Sequence, residues 1–147
     1  RVSMTLYESA SDRRHELDII TTLASRIPNT MFVKLNMTWR VDYAIYQGHK
    51  LYAFVECKRR LVNSKEYPDI ILSGTKYIEG KKFATTFNVP FIFAVQFDDC
   101  LSYIDLSKDN YDLVIGGGRQ RNLASDIDLC IAVPSNKFKV FQAHPSR

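Results

Sequence analysis

Residues 90–97, Pro-Phe-Ile-Phe-Ala-Val-Gln-Phe, form a nearly continuous apolar run. A strand with one wet face would alternate apolar and polar residues, so a run of this kind suits a strand covered on both faces. It therefore predicts a central strand in a layered domain, with helices packed on the faces of a sheet. The 147 residues, 46% of them hydrophobic, are enough for one core, and residues 1–147 read as a single domain.

The remaining pattern supplies the layers. Leu17, Ile20, Leu23, Ala24 and Ile27 recur at helical steps, which predicts a first helix over residues 11–27, capped by Ser11 or Asp12 and closed by Pro28. Residues 31–36, 41–46 and 51–58 are rich in Val, Ile, Phe and Tyr and read as strands, with Gly48 and His49 in the turn between the last two. Pro68 and Asp69 predict the start of a second helix that runs to about Phe87. Gly74 and Gly80 inside it mark either close backbone approaches or, as the plainer expectation, mere local weakening of the helix. Further strands are expected at residues 101–106, 111–115, 129–133 and 138–141, with residues 116–118 as a flexible glycine connection. The expected class is α/β, a mixed central β-sheet flanked by helices. Its core spans residues 11–97, in the order helix, three strands, helix and strand, and a β-rich extension follows over residues 98–147.

Composition narrows the function classes. The longest apolar run, residues 89–97, is half of what a membrane span needs, and no signal-peptide core follows Arg1. Cys57, Cys100 and Cys130 are odd in number and widely spaced, which suits neither a disulfide framework nor a zinc site and points to a reducing, cytoplasmic setting. The net charge is +4, with Lys58, Arg59, Arg60, Lys81, Lys82, Arg119 and Arg121 prominent in it, and fits a polyanionic partner.

The hairpin over residues 41–58 carries the chemistry. A three-residue loop of Gly48, His49 and Lys50 would pair Gln47 with Leu51 and set Asp42 opposite Glu56; a two-residue loop would shift that register by one. Opposed carboxylates lie about 5 Å apart at Cβ and repel unless a cation stands between them. Two carboxylates with water and phosphate oxygens make a typical magnesium environment. Strand alternation puts Lys58 on the same face as Glu56 and turns Cys57 to the other, apolar side. In phosphodiester hydrolysis a metal activates water and neutralises charge on the phosphate, while a nearby lysine orients or deprotonates the nucleophile. The bland alternative is a surface ion-pair cluster, against which the apolar neighbours Val41, Tyr43, Val55 and Cys57 count.

Asp42 followed by Glu56-Cys57-Lys58 resembles the signature of the PD-(D/E)XK nuclease superfamily, with Val41 in the place of the formal proline. The order of elements over residues 11–97 is similar as well. Residues 67–97, with Ser73, Lys76 and Pro90, also look like small phage nuclease-like proteins. The resemblance implies a nuclease that uses Mg2+ or Mn2+, acting on DNA more readily than RNA. It implies Asp42, Glu56 and the Cys57 carbonyl as metal ligands, Lys58 as the residue that positions or activates water, and Glu16 on the first helix as an extra ligand in competition with Asp12 and Asp18. Lys76 and Ser73 would lie near the scissile phosphate, and Arg59, Arg60, Arg119 and Arg121 are the basic residues expected to meet the nucleic-acid backbone. A homodimer with two sites is compatible with the chain's size.

Other motifs carry less. Gly116-Gly117-Gly118-Arg119-Gln120-Arg121 lacks the lysine-serine/threonine ending of a phosphate loop. Trp39, Tyr7, Tyr43 and Tyr46 can stack on unpaired bases, although aromatics at strand positions are usually core. Two other readings remain beside the nuclease: an inactive nucleic-acid-binding module of the same fold, and a small basic protein-interaction subunit.

Overall fold

The computed structural model describes residues 10–117 and 127–144. Helix α1 (Ala10–Ser25) is followed by the strands β1 (Thr30–Lys34), β2 (Tyr43–Gln47) and β3 (Lys50–Arg59). Next come β4 (Asp69–Ser73), helix α2 (Gly74–Phe87), β5 (Phe91–Gln96) and β6 (Cys100–Asp105). The last strands are β7 (Val114–Gly117), β8 (Ile127–Pro134) and β9 (Lys139–Ala143). Six strands form a mixed sheet in the order β1-β2-β3-β5-β6-β9, and β4, β8 and β7 form a second, antiparallel sheet.

The apolar run at residues 90–97 is the centre of the larger sheet, as its pattern requires. Within β5, Phe91, Phe93 and Val95 join a cluster with Phe54 of β3 and Tyr77 and Ala84 of α2. Ala94 belongs to the opposite cluster, with Val55 and Cys57 of β3 and Ile19, Ile20 and Leu23 of α1. The two faces of β3 and β5 are therefore sealed by different helices. β3 and β5 run parallel, and the connection between them carries β4 and α2.

Four expectations need correction. Ser11 and Asp12 lie inside α1 rather than capping it, since the helix already includes Ala10. The second helix starts at Gly74, not at Pro68, because Ile70-Ile71-Leu72 prefers an extended backbone and residues 69–73 pair with β8. Ile70 and Leu72 are buried there. The glycines are close approaches, not weak points: a Cβ on Gly74 would stand 2.9 Å from the Leu129 carbonyl oxygen, and one on Gly80 would stand 2.3 Å from the Phe91 ring. α2 can press onto β5 only because position 80 has no side chain. Gly116 and Gly117, expected in a flexible connection, are part of β7; Gly118 lies outside the described residues. No helix among the described residues is long and apolar enough to cross a membrane.

Candidate active site

Asp42 and Glu56 meet because of the β2–β3 register. Tyr43 pairs with Val55, Ala44 with Phe54 and Ile45 with Ala53, so one further step sets Asp42 opposite Glu56. The route to this register differs from the expected one. Gln47 pairs with Lys50, which leaves the two-residue loop Gly48-His49, with Gly48 at φ +61. A register shift between Ile45 and Tyr46 then makes Tyr52 an extra residue on β3 and restores the pairing beyond it. The loop is one residue shorter than expected and the bulge compensates.

At Asp42 the β2 ladder has ended, and a side chain takes its place. Asp42 Oδ2 accepts a 2.8 Å hydrogen bond from the Cys57 backbone N–H, so a buried donor on β3 is satisfied by the carboxylate rather than by a β2 carbonyl. This bond fixes the Asp42 carboxylate beside Glu56. Its other oxygen, Oδ1, lies 3.7 Å from Lys34 Nζ. The same ammonium is 3.2 Å from Glu16 Oε1, which joins Glu16 of α1 to the group through a shared lysine.

Glu56 is wholly buried. Lys76, in the first turn of α2, donates to its Oε2 at 2.6 Å, while Oε1 is buried with no hydrogen-bond partner. Burial first, and then the Asp42 charge, push the Glu56 carboxyl up to about 8 against the pull of Lys76. Burial lowers Lys76, but Glu56 and Asp42 outweigh it and hold this lysine above its ordinary value. Lys58, two residues along β3 on the Glu56 face, is pushed down by burial and then by the Arg60 and Lys76 charges. No ion pair of Lys58 is found among the described residues.

This donor set suits a hard divalent cation. A buried carboxyl group with one unpartnered oxygen and a second carboxylate near enough to raise it is costly to ionise unless positive charge is supplied. Among the described residues no three His, Cys, Asp or Glu side chains gather as a cage, so an ion here would rely on the Asp42–Glu56 pair together with water or substrate oxygens.

The other expected residues divide. Lys76 and Glu16 are brought to the group, and Cys57 is buried on the α1 side while its N–H holds Asp42. Ser73 ends β4 directly before α2 and makes no capping bond there. Arg59 and Arg60 are occupied in holding backbone. Arg59 donates to the carbonyls of Arg60 and Gln96 and pairs with Asp98, and Arg60 donates to the Ile71 carbonyl. Arg119 and Arg121 lie outside the described residues, and so does the Asp12 side chain. Lys34 was not foreseen from sequence. Its pairing with Tyr43 puts it next to Asp42, but the irregular segment between β1 and β2 hides that register. A separate cleft of about 880 Å³ on the α1 side is lined by His15, Asp18, Arg59, Gln96 and His144, and not by Asp42, Glu56 or Lys58.

The family model described as "Phage putative PDDEXK endonuclease" matches residues 3–141. No curated protein matches the chain. Among solved structures, that of Archaeoglobus fulgidus Hjc, described as a Holliday junction resolvase from an archaeal hyperthermophile, is similar with a TM-score of 0.60 at 11% identity, covering 90% of this chain and 93% of that one. At that identity the likeness is one of fold.

Proposed function

The chain belongs to this phage PDDEXK endonuclease family, and from that premise we propose that it hydrolyses DNA phosphodiester bonds with Mg2+ or Mn2+ held between Asp42 and Glu56. The observation that carries the reading is the buried carboxylate pair, fixed by the Asp42 to Cys57 N–H bond and left with one unpartnered oxygen on Glu56. When bound, the cation would activate water and neutralise charge that develops on the phosphate.

The chain's own residues have separate tasks. Asp42 and Glu56 hold the ion, with the Cys57 carbonyl as a further candidate oxygen. Lys58, with its ammonium acidified by burial and by neighbouring cations, orients the attacking water and can take its proton. Lys76 keeps Glu56 oriented and adds positive charge where the phosphate would sit. Lys34 holds Glu16 near Asp42, from where Glu16 can act through a bridging water. DNA as the substrate is supported by the name of the archaeal structure that shares the fold.

The test is cleavage of labelled single- and double-stranded DNA with Mg2+, with Mn2+ and with chelator. The reading predicts metal-dependent cutting that falls at least about 100-fold in Lys58→Ala. Undiminished cutting by that variant would refute the assignment of Lys58. Salt-sensitive DNA binding with no metal-dependent cutting would instead identify an inactive binding module.

A further inference from the structure

Three residues before Asp42, Trp39 projects from the connection between β1 and β2 with 40% of its surface exposed. A large aromatic left this open on a mobile loop would be unremarkable, but this segment is tied down. The Leu35 N–H donates to the Asp42 carbonyl at 2.9 Å and closes the neck of the loop. Inside it, Met37–Trp39 forms a 3-10 turn whose start is capped by the Asn36 side chain, which accepts from both Thr38 N and Thr38 Oγ1. Arg40 closes the turn at φ +67, a left-handed conformation that a non-glycine residue adopts at a cost and that turns the chain sharply into Asp42.

The indole is also braced from behind. Its ring centroid lies 5.1 Å from that of Phe83 on α2, and Phe83 lies 5.4 Å from Phe54 on β3. Phe54 is two residues before Glu56 and on the same face of the strand, about 7 Å away along it. Trp39 therefore stands on the face that carries Glu56 and Lys58, at most about 11 Å from Asp42 between Cα atoms. Two exposed side chains flank it: Met37 offers apolar surface, and Arg40 has no ion pair among the described residues.

From this placement we propose that Trp39 is a stacking platform for an unpaired DNA base next to the scissile phosphodiester, with Arg40 meeting the adjoining phosphate. The proposal rests on the nuclease reading above and narrows it to DNA that has unpaired nucleotides at the cut site. A rigid, half-open indole offers a π-face that a base inside a duplex cannot reach without being unstacked, whereas an unpaired base stacks on it freely. Trp39 is a positioning residue in this account. It sets which substrates engage and takes no part in the chemistry.

Trp39 is the only tryptophan in the chain, so its fluorescence reports on this surface alone. The experiment titrates the full chain, in chelator, with fluorescein-free DNA of three kinds: a single strand, a duplex with a single-stranded flap, and a blunt duplex. Binding is followed in parallel by anisotropy of labelled copies. The single strand and the flap should quench the indole while the blunt duplex bound to saturation leaves it bright. Trp39→Ala should weaken single-strand binding roughly 5- to 100-fold and blunt-duplex binding little, and Trp39→Phe should recover most of the loss. Equal quenching by all three DNAs, no quenching despite binding, or no binding at all would overturn the proposal, and so would unchanged single-strand affinity in a folded Trp39→Ala. The two readings fail separately. Selective quenching without metal-dependent cutting would refute the nuclease and leave Trp39 as a base-stacking platform of a binding module alone, and metal-dependent cutting without selective quenching would leave the nuclease standing and refute the platform.

Discussion

Lys76 Nζ lies 2.6 Å from Oε2 of a glutamate that is wholly buried, Glu56. The lysine comes from the first turn of α2 and the glutamate from β3, so the contact ties the helix start to the Glu56 face of the sheet. It also offsets part of the cost of burying this carboxyl group. Removing the lysine should be tolerated when Glu56 can protonate and costly when it cannot. Lys76→Met should therefore lower the melting temperature more at pH 9 than at pH 6. A double-mutant cycle with Glu56→Gln at pH 9 should give a coupling of about 1–3 kcal/mol, measured by chemical denaturation. A coupling near zero at both pH values would mean that the pair is incidental.

The raised Glu56 carboxyl gives the metal-free protein a pH dependence of definite sign. Its ordinary value is 4.5 and its folded value about 8, so between them the folded state holds a proton that the unfolded state has released. Stability should fall as pH rises from about 5 to 8 and recover on acidification. Thermal unfolding in chelator across that window checks this, and Glu56→Gln should flatten the curve. A wild-type curve that rises with pH in that range would contradict the assignment.

Asp42 separates structure from chemistry. Asparagine can still accept the Cys57 N–H, so Asp42→Asn should keep stability within about 1 kcal/mol of wild type while cleavage falls at least about 100-fold. Alanine leaves that buried donor without its acceptor and should cost about 1–3 kcal/mol besides. If the two variants unfold alike, the hydrogen bond is not what fixes this carboxylate.

Gly80 tests the packing of α2. Alanine is the better helix former by about 1 kcal/mol, yet its Cβ would stand 2.3 Å from the ring of the buried Phe91. Gly80→Ala should therefore destabilise by about 1–3 kcal/mol, and Phe91→Leu in the same chain should relieve part of the loss.

These residues also show what the sequence could reveal. The central strand was legible because an apolar run without polar alternation, opened by Pro90 and too short for an ordinary helix, fits a strand buried on both faces. The placement of Asp42 opposite Glu56, with Lys58 on the Glu56 face, was legible because strand alternation and a tight turn constrain neighbours in a hairpin, and that placement survived an error in loop length only because a bulge at Tyr52 restored the register. Lys34 was hidden by the eight-residue connection over residues 35–42, whose length and 3-10 turn leave the β1–β2 register unspecified by any hairpin rule. Strand β4 was hidden because Pro68 and Asp69 imitate a helix start, and its partner β8 lies some sixty residues away. The glycines were ambiguous because a close approach is a property of the partner surface. Arg59 and Arg60 read as backbone-binding cations from charge alone, a pattern that carries no information on the carbonyls of Gln96 and Ile71 to which they donate in the fold.

Calorimetric titration with Mn2+ tests directly, without reference to any substrate, whether Asp42 and Glu56 together hold a divalent cation. Binding must displace the Glu56 proton, so the wild-type dissociation constant should fall about tenfold per pH unit up to about pH 8 and level off above it. Glu56→Gln, compared at pH 8, should show no saturable binding. Equal Mn2+ affinity in wild type and Glu56→Gln, independent of pH, would contradict the account.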